Sequence, residues 1–293
     1  MQTFLIVSFE KRKDGFLMKK LISVLLAMSM GFAMVGCGSS DAGTDTGEVS
    51  TASEADAGSA SQDKIVVGLD DQFPPMGFRD ENNELVGFDI DLAKAAGEKM
   101  GVEVEFQPID WDSKELELNS GKIDLIWNGF SISDERKETM EFTDPYLDNK
   151  MIIIVPEGSD IKTKADLAGK NVGIQDGSSA VDAVEVDEIH TQFASMPTYD
   201  TNILALADLE VGRVDAVVAD QVVARYYLAQ NPDKKFVILD DDFGSEVYGV
   251  AAKKGNTELI DKLQSALDEL YADGTSAEIS EKWFGEDIVV NNN

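Results

Sequence analysis

Short apolar runs alternate with segments of helical periodicity along the chain after residue 63. A run of about four to eight apolar residues between turn residues is typical of a buried strand, and apolar positions about three or four apart are typical of an amphipathic helix. The predicted strands are residues 65–69, 102–106, 123–127, 151–155, 171–174, 214–218, 236–239 and 248–252. The predicted helices are residues 87–100, 114–119, 163–167, 178–187, 201–211, 219–229, 256–273 and 275–284.

This alternation predicts an α/β fold, because strands separated by helices form βαβ units and largely parallel sheets. In such folds ligands bind beyond the carboxyl ends of the strands. The chain has 293 residues, too many for one small core, so we expect two lobes. The apolar run 151–155 is a candidate for the crossing from one lobe to the other, and residues 246–250 for the return. The pattern alone fits two lobes in series equally well.

Residues 1–62 have a different pattern, which is typical of an export signal followed by a linker. Lys19 and Lys20 precede the apolar run 21–35, after which small residues follow. We therefore expect a signal peptide over residues 1–36, and we expect that translation starts at Met18. Residues 38–62 are nearly all small or acidic, so they predict a flexible tether.

The single cysteine, Cys37, lies directly after this apolar run. Its placement resembles a bacterial lipobox, which implies cleavage before Cys37 and lipid, such as palmitate, on its sulfur. Met34 departs from that pattern, because lipoboxes usually carry leucine three positions before the cysteine. We expect a lipoprotein anchored on the extracytoplasmic face of the cell membrane. One cysteine also excludes an internal disulfide framework and a cysteine-rich metal site.

The chain is strongly acidic, with 56 Asp and Glu residues against 25 Lys and Arg residues and a net charge of −31. This balance argues against nucleic acid as a partner and against binding of an anionic membrane through surface charge. The single histidine, His190, lies in an acidic run, where we expect it to be structural. The sequence has no glycine-rich nucleotide-binding motif and no EF-hand spacing, so we expect no cofactor and no metal.

The segment 124–136 places an arginine in the first turn of a predicted helix. A short apolar strand is followed by a turn at Gly129, and Ser133 is the expected N-cap of an acidic first turn. Arg136 then lies at the positive end of the helix dipole, where a cation is unfavourable. Two interpretations stay open. One is a surface arginine paired with Glu135 or another acid, and the other is an anion site in which the guanidinium grips a carboxylate with two parallel hydrogen bonds.

Five segments follow one another in a characteristic order and spacing. They are residues 68–78, 85–93, 124–146, 167–179 and 212–220, and the ending at Trp283-Phe284-Gly285 fits the same pattern. Together they resemble the bacterial extracellular solute-binding proteins of family 3, the receptors of amino acid ABC importers. The resemblance covers about residues 63–286. It implies a two-lobe, type II periplasmic-binding-protein-like fold, in which each lobe is a mixed sheet flanked by helices and the ligand lies in the cleft. The expected lobes are residues 63–150 plus 248–293 (lobe I) and residues 151–247 (lobe II).

The resemblance also implies roles for particular residues. In this family the arginine that matches Arg136 grips the α-carboxylate of the ligand, helped by groups that match Ser131 and Ser179. The residue that matches Asp220 pairs with the α-ammonium, as does the backbone carbonyl of Gly129. The other expected ligand contacts are the aromatic residues Phe73 and Trp111 and the polar residues Asp70, Asn128 and Ser178.

Most of these residues also have a purely structural interpretation. Asp220 and Ser178 stand where helix N-caps are expected. Phe73 and Trp111 are equally compatible with packing inside the first lobe. Asp70 belongs to a set of acids that, in so acidic a chain, is compatible with a solvated face.

The function that the resemblance implies is a non-catalytic one. The protein would be the substrate-binding component of an ABC importer, which captures a polar or charged amino acid outside the cell, closes around the zwitterion and delivers it to the permease. The acids around Asp70 favour a ligand side chain that carries hydrogen-bond donors. We expect a monomer that contacts the membrane through its lipid anchor.

Two other function classes stay open. A dehydratase-like enzyme on the same scaffold, acting on a cyclic carboxylic acid, would need a general acid or base of shifted pKa beside the ligand. A sensory module would need transmembrane and signalling segments after the binding region, and we expect none.

Overall fold

The computed structural model describes residues 64–290, so the predicted export signal, Cys37 and the tether lie outside the described residues. The fold is α/β and has two lobes, each built on a five-stranded sheet. The strands are β1 (Lys64–Leu69), β2 (Gln72–Phe73), β3 (Gly77–Arg79), β4 (Leu85–Val86), β5 (Glu103–Pro108), β6 (Leu125–Ile126), β7 (Met140–Phe142), β8 (Leu147–Pro156), β9 (Val172–Gln175), β10 (Thr198–Tyr199), β11 (Ala216–Asp220), β12 (Phe236–Tyr248) and β13 (Ala251–Lys253). The α-helices are α1 (Phe88–Met100), α2 (Lys114–Ser120), α3 (Asp134–Thr139), α4 (Ser179–Glu185), α5 (Asn202–Glu210), α6 (Gln221–Gln230), α7 (Thr257–Ala272) and α8 (Thr275–Phe284).

The sheet of the first lobe has the strand order β5-β1-β6-β13-β7. β1 is parallel to β5 and β6, whereas β13 runs antiparallel to β6 and β7. Strands from both ends of the described chain therefore build one sheet. α7 packs against this lobe through apolar residues about three or four apart, from Leu259 to Leu270, as expected for an amphipathic helix. A small sheet of β2, β3 and β4 lies beside it and positions Phe73.

The sheet of the second lobe has the order β10-β9-β11-β8-β12 and is buried on both faces. Along β8, Met151 and Ile153 belong to one hydrophobic core, and Ile152 and Ile154 belong to another on the opposite face. Successive side chains of a strand point to opposite faces, which is why a strand buried on both sides is a continuous apolar run.

Two paired strands connect the lobes. β8 and β12 run antiparallel over their whole length, from Leu147 opposite Tyr248 to Pro156 opposite Phe236. Leu147 and Tyr248 belong to the core of the first lobe, whereas Met151 belongs to the core of the second. The carboxyl ends of both sheets are brought together beside this connection.

The sequence pattern was wrong at several boundaries. β12 continues from the predicted end at residue 239 to Tyr248, because shifts of register along an edge strand accommodate the polar residues there. Ala219 and Asp220 complete β11, where they pair with β8, so α6 begins only at Gln221. The short strands β2, β3, β4, β7 and β10 were missed, because they have too few residues to show a period. No helix among residues 64–290 is long and apolar enough to span a membrane.

Candidate ligand-binding site

A narrow cavity lies where the two lobes meet. The lining residues are Phe73, Trp111, Gly129, Phe130, Ser131, Arg136, Gln175, Ser178, Ser179 and Asp220. All the ligand contacts expected from the sequence line this cavity except Asp70 and Asn128. The structure adds Phe130 and Gln175, which the sequence did not indicate.

Arg136 is buried at the first-lobe side of the cavity, with 8% of its surface exposed. The helix begins as the sequence predicted, since the Ser133 hydroxyl accepts a hydrogen bond from the Arg136 N–H at 3.1 Å. The guanidinium Nη1 donates to the Ser131 carbonyl at 2.9 Å, and the guanidinium Cζ lies 4.4 Å from the centre of the Phe130 ring. In the part of the chain that the structure describes, the arginine forms no ion pair with Glu135 or any other acid. The surface-arginine interpretation is therefore wrong.

Burial lowers the pKa of Arg136, and the acids Asp182 and Glu246 nearby act against this effect. A guanidinium keeps its charge even under such a shift. The cavity therefore contains a permanent cation that has a carbonyl and an aromatic ring as partners and is suited to a carboxylate.

Ser131 and Ser179 bring the two lobes into contact beside Arg136. Their hydroxyl oxygens lie 2.9 Å apart, across the cleft between the lobes. Ser178 occupies the N-cap position of α4 but does not cap the helix, because its hydroxyl donates to the Gln175 carbonyl at 2.8 Å. The hydroxyl groups of Ser131 and Ser179, which come from different lobes, are therefore close enough for one ligand group to contact both.

Asp220 ends β11 on the second-lobe side of the cavity and is 4% exposed. Its Oδ1 accepts from Asn149 Nδ2 at 2.7 Å and from the Tyr248 hydroxyl. It precedes α6 without capping it, so the N-cap interpretation of its side chain is wrong. Asn149 also donates to Glu246 at 2.8 Å, so one amide lies between two carboxylates.

Burial, and then the charge of Glu246, raise the pKa of Asp220 to about 8. The ionised form is disfavoured because the site offers it hydrogen bonds but no positive charge in contact with it. A cation placed beside Asp220 would restore the ionised form.

Gly129 is held in a conformation that favours glycine. Its φ is +55°, and a Cβ at this position would lie 2.9 Å from the Phe73 ring and 3.0 Å from the Tyr248 ring. Its N–H donates to the buried carboxylate of Asp89 at 2.7 Å. Asp89 thus fixes the peptide that forms this wall of the cavity.

Asp89 itself is fully enclosed, and burial raises its pKa to about 7. The Gly129 N–H, the Tyr146 hydroxyl and the Trp127 Nε1 beside it act in the opposite sense and lower this pKa. Trp127 is buried in the core of the first lobe. The carboxylate has one strong backbone partner, which belongs to the cavity wall.

Two aromatic residues that were expected as walls occupy that position. Phe73 both lines the cavity and packs in the core of the first lobe, so the two interpretations of this residue hold together. Trp111 lies in a 3₁₀ turn (Trp111–Ser113) and contacts the Phe130 ring edge-on, with 5.8 Å between ring centres.

Asp70 lies behind Gln175, where the cavity adjoins a wider acidic cleft. Its carboxylate accepts from the Gln72 N–H at 2.8 Å and from Gln175 Nε2 at 2.9 Å. Gln175 also donates to the Asp200 carbonyl and accepts from Asn202, so its amide is fixed in orientation. Burial raises the pKa of Asp70 to about 6. The acids that line the adjoining cleft with Asp70 are Asp71, Asp110, Asp112, Glu117, Asp176 and Asp200.

Asn128 is buried inside the first lobe instead of in the cavity lining. Its Oδ1 lies 3.1 Å from where a Cβ on Gly77 would be, and neither polar atom of its side chain has a hydrogen-bond partner. The side chain thus faces β3, and its backbone alone adjoins Gly129.

The sequence did not indicate Gln175, Asn149 or Tyr248, although two of them leave a trace in it. Gln175 is the polar residue at the carboxyl end of the otherwise apolar strand β9, a position where α/β folds bind ligands. Asn149 takes the inward place in the alternation Leu147, Asn149, Met151. A polar residue at a buried strand position is the signal that would have found both.

Residues 65–286 match the bacterial extracellular solute-binding proteins, family 3, and the chain belongs to this family. The family binds amino acids and works with ABC transporter permeases. The family and the relatives of this chain are solute-binding proteins and not enzymes, so the dehydratase alternative is set aside.

Three similar proteins illustrate the relationship. The L-cystine-binding protein TcyJ of Escherichia coli (strain K12) is 34% identical over 226 residues, which are 76% of this chain and 84% of that protein. The substrate-binding protein of an ABC uptake transporter from Streptococcus pneumoniae, solved with bound histidine, aligns with a TM-score of 0.76 at 40% identity, covering 78% of this chain and 95% of that one. An ancestral arginine-binding protein bound to arginine aligns with a TM-score of 0.74 at 45% identity, covering 77% and 100%.

Proposed function

We propose that this protein captures a polar or charged amino acid in the cavity between its lobes and delivers it to an ABC permease. The observation that carries the proposal is that Arg136 and Asp220, two buried residues from different lobes, line one small cavity. A zwitterion needs a cation and an anion about one amino acid apart, in a site dry enough to strengthen both interactions. The presence of both residues in the lining of one cavity supports this proposal.

The α-carboxylate of the ligand binds at Arg136 in this proposal. Its guanidinium is oriented by the Ser131 carbonyl and the Phe130 ring, which leaves its fork available for two parallel hydrogen bonds. The hydroxyl groups of Ser131 and Ser179 lie beside it and add donors from both lobes. Ser178 lines the same end of the cavity.

The α-ammonium binds at Asp220, with the Gly129 carbonyl as a second acceptor. Asn149 and Tyr248 both donate to the same carboxylate oxygen, Oδ1, so the other oxygen is left for the ligand. The charge of the ammonium offsets the burial of Asp220 and brings its pKa down. Phe73 and Trp111 form the apolar walls between the two ends.

The ligand side chain points toward Asp70 and the acidic cleft in this proposal. A carboxylate whose pKa is raised by burial is stabilised by a donor-bearing or cationic group, and the surrounding acids favour such a group further. The named ligands of the three similar proteins, cystine, histidine and arginine, all have polar or charged side chains. Asn128 is left out of the ligand contacts because its side chain faces β3.

Binding and closure are coupled in this proposal, because the ligand contacts both lobes. Ser131 contacts Ser179, and Asp70 contacts Gln175, across the cleft. A ligand held at Arg136 and Asp220 adds its own bonds between the lobes. It therefore favours the closed form by as much as it binds that form better than the open one.

The proposal also covers the remaining parts of the chain. Residues 1–36 direct export, Cys37 carries the lipid, and residues 37–62 tether the protein to the extracytoplasmic face of the cell membrane. Residues 63–150 with 248–293 form lobe I, residues 151–247 form lobe II, and the protein acts as a monomer. Mass spectrometry of the mature protein tests the lipid, which should be found on Cys37 at the N-terminus.

A ligand screen tests the proposed function. The purified protein is unfolded and refolded to remove co-purified ligand, and its thermal transition is measured with each amino acid and with cystine. A ligand at about 100 times its dissociation constant stabilises the folded form by about 2.7 kcal/mol. We expect a clear shift with one or a few polar or charged amino acids, followed by micromolar or tighter affinity in calorimetry. No shift with any amino acid would overturn the proposal.

A further inference from the structure

Lys114 differs from the other lysines among residues 64–290, because it alone is buried. It begins α2 on the first lobe and is 4% exposed. A buried ammonium is unfavourable unless it is paired or fully hydrogen-bonded. No carboxylate in the described range forms an ion pair with it. Its position therefore needs another explanation.

The partners of Lys114 come from both lobes. Its Nζ donates to the Trp111 carbonyl in its own lobe at 3.2 Å and to the Gly177 carbonyl in the second lobe at 2.7 Å. It also lies 5.2 Å from the centre of the Trp111 ring. Two other contacts across the cleft were described above, Ser131 with Ser179 and Asp70 with Gln175. The bond to Gly177 is the contact among these three whose donor is an ammonium group, which makes it charge-assisted.

Gly177 allows this close approach between the lobes. Its φ is +61°, and a Cβ there would lie 3.0 Å from the Asp112 backbone and 3.3 Å from Lys114 Nζ. Gly177 directly precedes Ser178 and Ser179, which line the cavity. The contact thus fixes the turn that brings Ser179 to the cavity.

We propose that Lys114 is the latch of the closed form, whose ammonium on the first lobe binds the Gly177 carbonyl of the second lobe and holds Ser179 against Ser131. The latch rests on the proposed function and deepens it. Lys114 is not one of the proposed ligand contacts, but it helps to retain the ligand by holding the lobes closed. The bond exists only when the lobes are closed. It therefore slows opening, and so slows release of the ligand.

The charges around Lys114 couple the latch to an anionic group. Burial, and then the nearby Arg136, lower the pKa of Lys114 to about 8, while Glu115, Asp112 and Asp182 act in the opposite sense. A carboxylate bound at Arg136 adds negative charge beside both cations. Ligand and latch therefore stabilise each other, and this coupling is reciprocal.

The test compares Lys114→Met with Lys137→Met, which removes an exposed lysine next to Arg136. For the amino acid found in the screen, we expect Lys114→Met to raise the dissociation rate about tenfold or more, with little change in the association rate. Lys137→Met should release the ligand as the wild type does. Gly177→Ala disturbs the same contact from the second lobe. In the double variant, the effects of Gly177→Ala and Lys114→Met on the dissociation rate should therefore be much less than additive.

A second measurement needs no ligand. Small-angle X-ray scattering of the unliganded proteins should give a larger radius of gyration for Lys114→Met than for Lys137→Met. Far-UV circular dichroism checks that each variant is folded. Unchanged dissociation rate and unchanged radius of gyration in a folded Lys114→Met would overturn the latch, as would fully additive effects with Gly177→Ala. If no amino acid binds any of these proteins, the proposed function fails, and the scattering comparison still decides whether Lys114 holds the lobes together.

Discussion

Arg136 in the first lobe and Asp220 in the second lobe line the same cavity, and both are buried, with 8% and 4% of their surfaces exposed. Each has neutral hydrogen-bond partners, namely the Ser131 carbonyl for Arg136 and the Asn149 amide and Tyr248 hydroxyl for Asp220. A ligand that carries both charges would join these two residues. This relationship is the basis of the following predictions.

Arg136→Ala should weaken amino acid binding by about 100-fold or more, because a carboxylate loses two charge-assisted hydrogen bonds in a buried site. Calorimetry measures this loss. The matched control is Arg213→Ala, which removes an exposed arginine paired with Asp208 and should leave the affinity unchanged. Unaltered affinity in Arg136→Ala would show that the carboxylate binds elsewhere.

Asp220 predicts a pH dependence of binding. With its pKa raised to about 8, Asp220 is mostly protonated in the unliganded site at pH 7, whereas the ligand ammonium favours its ionised form. Binding should therefore release a proton, and affinity should rise as the pH increases from about 6 toward 8. Calorimetry in buffers of different ionisation enthalpy measures the released proton.

Asp220→Asn separates this effect from others. The variant should bind more weakly and release no proton at pH 7, because its amide does not titrate. If wild type and variant release the same number of protons, Asp220 is not the group that ionises on binding.

Asp70→Asn should change which ligand is preferred. A donor-bearing or cationic side chain should lose about tenfold in affinity or more, while a small neutral amino acid should lose little. Asp261→Asn is the matched control, since Asp261 is an exposed acid on α7 that does not line this cleft. Competition between two amino acids measures the preference, and an equal loss for all ligands would contradict the placement of the side chain.

Asp89 predicts a pH dependence of stability. Burial raises its pKa to about 7 in the folded protein, above the value of about 4 in the unfolded chain, so the folded state holds the proton more tightly. Its contribution to stability is thus complete below pH 4 and is lost as the pH rises to about 7, by up to about 1.4 kcal/mol per pH unit.

Urea unfolding of the unliganded protein tests this claim. The stability of wild type relative to Asp89→Asn should fall between pH 4.5 and 7 and then level off. Glu98→Gln, an exposed change on the same helix, should show no such trend relative to wild type. A difference between Asp89→Asn and wild type that does not vary with pH would mean that Asp89 stays ionised when buried.

Periodicity predicted the elements that build the fold, because strands buried on both faces and amphipathic helices leave long, regular patterns. The Ser133 N-cap and the place of Arg136 in the first turn of α3 could also be predicted, because helix capping depends on residues that are adjacent in sequence. The resemblance supplied Asp220, which no local pattern joins to Arg136. The lobe that each belongs to depends on strand pairing between distant segments, which periodicity does not determine.

The residues that the sequence did not reveal owe their roles to tertiary contacts. Lys114 begins the segment Lys-Glu-Leu-Glu-Leu, which has the pattern of an exposed helix, and only the approach of Gly177 from the other lobe buries it. Asn149 and Gln175 are polar residues at buried strand positions, and their partners lie far away in sequence. The resemblance placed Asn128 toward the ligand, but its side chain faces Gly77 in β3.

The most direct test of the central claim compares three ligands that share one side chain. They are the amino acid that binds best, its α-amide, which lacks the negative charge, and its deamino acid, which lacks the positive charge. If Arg136 and Asp220 hold the two ends of a zwitterion, calorimetry will show that each analogue binds at least about 100-fold more weakly than the parent amino acid. If either analogue binds within about threefold of the parent, then one of the two charged residues does not bind the ligand, and the account of this site is wrong.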